Sequence, residues 1–157
     1  MFTYTTEIAR SPEDVLAYLD QLDRHGEWQT DIKRVIDVTP GPVGVGTRAT
    51  EYRKMPIGTA KVTYEIAEYE HPRRVVFVGV NGPVRPRGVV TVEPLDGGAR
   101  SKLSIDFEMV GHGIGKLFAP MAYKKATSLI PEAHKELKRR LESGAQLPPA
   151  KAADSAL

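Results

Sequence analysis

Lys125 has the most chemistry to offer in this sequence. At 100° per residue it falls between Phe118, Met121 and Leu129, inside the apolar stripe of a helical C-terminal segment. An amine there is either drawn into a cavity or snorkels to its rim. Inside, it could bind a carboxylate or, with its pKa lowered by burial, move a proton. Tyr64 shares the apolar face of its own strand, so its ring points inward and its hydroxyl needs a partner. Tyr52 and Arg87 could supply further polar anchors, but their strand parity is ambiguous. Trp28, the only tryptophan, could present a flat apolar surface to a ring or an acyl chain. Phe77, Phe107, Met109, Phe118 and Met121 would form an apolar wall, with unbranched Met adapting to varied ligand shapes. The same residue types also build plain cores, and that reading stands beside the functional one for Trp28, Tyr64 and the wall.

Other chemistries are excluded or weak. The chain has no cysteine, which removes disulfides, thiolate metal sites and cysteine nucleophiles. His25, His71, His112 and His134 are scattered without metal-ligand spacing, so neither a metal nor a cofactor is implied. His112 sits in a glycine loop where it could gate an entrance or simply lie on the surface. Gly111-His112-Gly113-Ile114-Gly115-Lys116 lacks the spacing and the hydroxyl residue of a phosphate loop, and Gly44-Val45-Gly46 leads into a strand rather than a helix. A net charge of +2 does not suggest a dedicated nucleic-acid binder. The N-terminus lacks the pattern of a signal peptide, and no apolar run reaches bilayer-spanning length. A cytoplasmic protein without membrane insertion is the expectation. The mixed-sign run from Lys135 to Arg140 reads as a solvated helix face, with partner docking as its alternative.

These side chains must be positioned by a β-rich chain of 157 residues, a length that suits one domain. Phe2, Tyr4, Thr6 and Ile8 alternate as one face of a first strand. Ser11-Pro12-Glu13-Asp14 then starts a helix, with Ser11 as cap, and a second short helix or turn is expected around Glu27-Trp28. Strands are predicted over 32–39, 47–55, 59–69, 73–80, 88–93 and 101–109, separated by Gly- and Pro-rich turns. In the last of them Leu103, Ile105, Phe107 and Met109 share one face. Ile114, Leu117, Phe118, Met121, Ala122, Leu129, Ala133, Leu137 and Leu141 then trace one drifting stripe on a long helix to about Ser143. Pro120 could sit in its first turn, and Pro131 is expected to kink it. Residues 144–157, rich in Ala and Pro, are expected to be a mobile tail. The sum is an α+β protein: a curved seven-stranded antiparallel sheet wrapped around a long C-terminal helix, with two short helices after the first strand.

In this order of elements the chain resembles the START-like (SRPBCC) superfamily, and within it the polyketide cyclase/dehydrase and lipid transport family, over residues 1–143. Ser11-Pro12-Glu13-Asp14-Val15, Trp28, Gly44-Val45-Gly46-Thr47 and the ending Leu137-Lys138-Arg139-Arg140-Leu141-Glu142 carry the resemblance. It implies a helix-grip fold with a deep apolar cavity between sheet and helix for a lipid, polyketide or quinone-like molecule. Two activities stay open: binding or transport of that ligand, or cyclisation and dehydration of a carbonyl substrate. The second needs an acid–base pair that the sequence does not display. A monomer or a homodimer would serve either.

Overall fold

The structure, a computed structural model, describes residues 1–144. The strands are β1 (Phe2–Ile8), β2 (Ile32–Ile36), β3 (Arg48–Lys54), β4 (Thr59–Glu70), β5 (Arg74–Gly79), β6 (Val84–Leu95) and β7 (Arg100–Gly111). They form one antiparallel sheet in the order β1-β7-β6-β5-β4-β3-β2. Helix α1 (Pro12–Leu19) and a 3-10 turn (Leu22–Glu27) follow β1, and α2 (Gly115–Ser143) closes the fold. The expected architecture is therefore present. Of the expected tail, residues 144–157, Gly144 is the left-handed C-cap of α2 and the rest lies outside the described residues.

Local chemistry explains the elements. Ser11 Oγ accepts the backbone N–H of Asp14 at 3.2 Å, and Pro12 occupies the first helical position of α1. The expected alternation of β7 is observed, with Ser101, Leu103, Ile105 and Phe107 buried. β6 is longer than its predicted span because Pro86 and Pro94 look like strand breakers. Both lie outside the segment Arg87–Thr91 that pairs with β5, so β5 needs no N–H from either. Gly88 is required in that segment: a Cβ there would stand 2.3 Å from the ring of Phe77, which lies across it.

The core gathers at the α1 end of the sheet. Leu137 and Leu141 of α2 meet Ile8, Val15, Tyr18, Trp28, Val92 and Leu103. A second cluster joins Leu16 and Leu22 to Ala49, Tyr64, Ile66 and Val75. This half of α2 is also tied by polar contacts. Arg10 Nη1 donates to the Leu141 carbonyl at 2.8 Å, Lys138 Nζ to the Glu7 carbonyl at 2.6 Å, and the Ala9 N–H to Glu142 Oε2 at 2.9 Å.

The single drifting stripe expected along α2 must be corrected. At 3.6 residues per turn the stripe swings across the helix, so Ile114, Leu117 and Met121 lie opposite Leu137 and Leu141. Leu117 and Met121 are 77% and 71% exposed, and Ile114 and Phe118 are exposed as well. The face continuous with Leu137 and Leu141 carries Ala119, Ala122, Ala126 and Ile130, all half-buried. Both prolines lie within one continuous helix. Gly115 starts it tightly against the β5–β6 turn, where a Cβ would collide with the Pro83 carbonyl.

Candidate functional site

The inward face of the sheet is mostly apolar on β1, β5, β6 and β7, apart from Thr6 and Ser101, and charged on β3. Register makes this unavoidable. Tyr64 of β4 pairs with Ala49, so Glu51 and Arg53 must share its face, because side chains alternate along a strand. Glu51 is only 3% exposed. Its Oε1 accepts from Arg53 Nε at 3.0 Å and Nη2 at 2.7 Å. Arg53 is fixed further by Asp31 Oδ2 at 2.9 Å and Gln29 Oε1 at 2.6 Å, while 27% of its side chain remains open. His25 Nε2 donates to the Leu19 carbonyl at 2.7 Å, which leaves Nδ1 facing Glu51 Oε2 at 3.8 Å.

From His25 an aromatic chain crosses the interior. The rings of His25 and Trp28 are 5.4 Å apart, those of Trp28 and His134 5.6 Å, and those of His134 and Tyr4 5.5 Å. His134 is buried, and its Nδ1–H donates to the Ile130 carbonyl at 2.9 Å. Tyr64 packs edge-on to Phe77 with centroids 5.9 Å apart.

Electrostatics follow from burial. Burial pushes the Glu51 carboxyl up, but the Arg53 guanidinium and His25 beside it outweigh this and hold it below its ordinary value. Burial depresses Arg53 in turn, and the carboxylates of Glu51 and Asp31 more than restore it. Burial, reinforced by the charge of Glu51, raises the Tyr64 phenol, so it stays protonated. Burial lowers His134, against the smaller effect of its bond to Ile130, and favours neutral imidazole.

Among the described residues the indole N–H of Trp28 has no hydrogen-bond partner, and the hydroxyl of Tyr64 makes no bond of normal geometry, the Glu51 carboxylate being the acceptor nearby. Buried polar hydrogens are rarely left unpaired, and each costs about 1–3 kcal/mol when they are.

The sequence-derived candidates divide by location. Trp28, Tyr64 and Phe107 are buried, and Phe77 and Met109 are half-buried. Register puts Tyr64, Phe77, Phe107 and Met109 on the inward face. Tyr52 and Arg87 are on the other face, which corrects their candidacy as anchors of the interior. Tyr52 pairs with Lys61 and takes the Arg34 guanidinium over its ring at 4.6 Å, and Arg87 faces Glu108 at 3.9 Å. Phe118 and Met121 are exposed on α2, and Lys125 shares their face half-buried. Glu51, Arg53, His25 and His134 were missed. His134 was recoverable, since it precedes Leu137 by three and Leu141 by seven, which sets all three on one helix face.

A model of the polyketide cyclase/dehydrase and lipid transport family matches residues 1–142. The chain belongs to that family. Among solved structures, a START superfamily protein from Mycobacterium smegmatis is 16% identical with a TM-score of 0.72, covering 92% of this chain and 98% of its own. The Zhui aromatase/cyclase from Streptomyces sp. R1128 is 12% identical with a TM-score of 0.69, covering 93% and 98%. A protein from Thermus thermophilus is 19% identical with a TM-score of 0.68, covering 91% and 97%. At these identities the likeness is one of fold. No curated protein matches the sequence. On this inward face the polar cluster on β3 is the main concentration of charged groups.

Proposed function

We propose that this family member binds a hydrophobic small molecule between the inward sheet face and the alanine face of α2. The ligand would carry an oxygen acceptor for Trp28 and Tyr64. The unpartnered indole N–H of Trp28 carries the reading, with the Tyr64 hydroxyl, poorly served by Glu51, as the second donor: a carbonyl, ether or carboxyl oxygen would satisfy what the free protein leaves unmade. Phe77, Phe107 and Met109 would supply one apolar wall of the site, and the short side chains of Ala119, Ala122 and Ala126 the other.

Binding is favoured over cyclase or dehydratase chemistry by the state of the ionisable groups. Glu51 is already committed to Arg53, and Tyr64 is held protonated, so neither is poised to exchange protons near neutral pH.

Trp28, the sole tryptophan, makes the test direct. Its fluorescence is titrated with 2-acetylnaphthalene and with 2-ethylnaphthalene, which differ in the carbonyl. The ketone should bind at least about tenfold more tightly, the worth of one buried hydrogen bond, and Tyr64→Phe should reduce that preference. Emission that responds to neither compound would refute the reading, and equal affinity would refute the role of the donors.

A further inference from the structure

The fold brings three segments to one end of the sheet: the β3–β4 tip, the β5–β6 tip, and the passage from β7 into α2. Residues 54–61, 80–86 and 109–131 contain no Asp or Glu. They contain Lys54, Lys61, Arg85, Lys116, Lys124 and Lys125, although the whole chain is nearly balanced at +2. The basic surplus is therefore concentrated here, and the remainder of the chain is net acidic. Among the described residues none of these five lysines enters an ion pair.

The same end displays large apolar side chains. Ile57 at the β3–β4 tip is exposed, as are Ile114, Leu117, Phe118 and Met121 on α2. The α2 residues form one face at the start of the helix, flanked by Lys124 and Lys125, while Lys116 projects from the other side of the first turn. A solvated helix face needs no Leu, Phe or Met. The distal half of this very face carries Glu132, Lys135 and Arg139 instead. Large apolar groups flanked by lysine, with no carboxylate in these three segments and the neighbouring Asp31 neutralised by Arg53, match a surface that offers both hydrocarbon and negative charge. No helix among the described residues is long and apolar enough to cross a membrane.

We propose that this end of the molecule docks reversibly on an anionic lipid bilayer, with the exposed face of the first half of α2 lying in the headgroup region. Ile114, Leu117, Phe118 and Met121 would enter the acyl boundary, and the surrounding lysines would meet lipid phosphates. Nucleic acid would complement the charge but not the apolar face. A second copy would cover the apolar face but bring its own lysines against these. The inference is independent of what the interior binds.

The test is co-sedimentation of the full chain with vesicles of phosphatidylcholine alone or mixed in equal parts with phosphatidylglycerol. We expect binding to the mixed vesicles, at least about tenfold weaker binding to phosphatidylcholine, and release by about 0.5 M salt. The pair Leu117→Asp and Met121→Asp should lower affinity at least about tenfold. Lys124→Glu should lower it at least about fivefold, the worth of one lysine at the surface. All three residues are exposed, so the melting temperature should not move. Lys135→Glu, on the same face but in the distal half, should bind as the parent does. Failure to bind mixed vesicles, or binding that survives the Leu117 and Met121 changes, would overturn the proposal. So would a dimer in solution that those changes dissociate, or tight duplex DNA binding with no vesicle binding.

Discussion

The two halves of α2 are built from similar apolar residues and treat them in opposite ways. Leu137 and Leu141 are fully buried against β1, α1 and β7. Leu117 and Met121 stand in solvent. The distal half is also fastened at Arg10, Lys138 and Glu142, while the proximal half is seated closely at Gly115 on Pro83 and at Lys116 on Gly111, with no side-chain hydrogen bond to the sheet among the described residues. Leu117 and Lys135 lie about five turns apart on one helical face, so the contrast is not a matter of which side looks outward. One segment of the outward face is charged, as solvation requires, and the other is apolar. The difference separates what the fold needs from what some other demand has placed there.

The largest effect should come from removing side chains on either side of this divide. Leu137→Ala leaves a void in the packed cluster and should cost about 3 kcal/mol. Met121→Ala removes an exposed side chain and should cost less than about 0.5 kcal/mol. Urea unfolding of the two variants measures both. If Met121→Ala approached the cost of Leu137→Ala, the proximal half would be packed in solution, and the comparison would fail with the docking surface built on it.

The next effect probes the polar cluster on β3. Arg53→Met strands Glu51 as a buried carboxylate without its main counter-charge. Because Arg53 is itself partly open, the expected loss is about 2 kcal/mol, below that for a fully enclosed pair. Adding Glu51→Leu should recover much of it, since an apolar pair of similar size avoids the stranded charge. A double-mutant cycle by denaturant unfolding gives the coupling. Additive losses would mean that the two groups do not interact.

How much of this was readable beforehand depends on which rule governs each residue. The strands β1 and β7 were legible because their inward residues are apolar and alternate without interruption. Ser11 and Pro12 were legible because capping is local chemistry. β6 was underestimated because the cost of a proline depends on whether a neighbour is paired there, and only topology reveals that β5 stops short of Pro86 and Pro94. The polar interior was hidden for a related reason. On β3 the pattern Glu51-Tyr52-Arg53 invites the aromatic inward and the charges outward, and the register with Tyr64 enforces the reverse. The α2 stripe misled because a drift of a few degrees at each step accumulates to half a turn over the helix, and a list of apolar positions does not show it.

The smallest expected effect concerns His134, the ionisable side chain in the packed half of α2 that is buried among rings. Its folded pKa lies below the ordinary 6.5 because burial penalises the imidazolium. The sign follows directly. As pH falls from 7 toward 5, the unfolded chain takes up a proton at this residue that the folded chain resists, so stability declines with acid. Glu51, whose folded pKa is also lowered, acts at the unfolded value of 4.5 and below, a more acidic window, so the two contributions separate along the pH axis. His134→Gln keeps an amide able to donate to Ile130 and removes the titration. Its stability should therefore change less between pH 7 and pH 5 than that of the parent, while the loss below pH 4.5 persists. An unchanged slope between pH 7 and pH 5 would mean that His134 reaches solvent readily. The distal half of α2 would then be as loosely held as the proximal half, and the contrast between them would vanish.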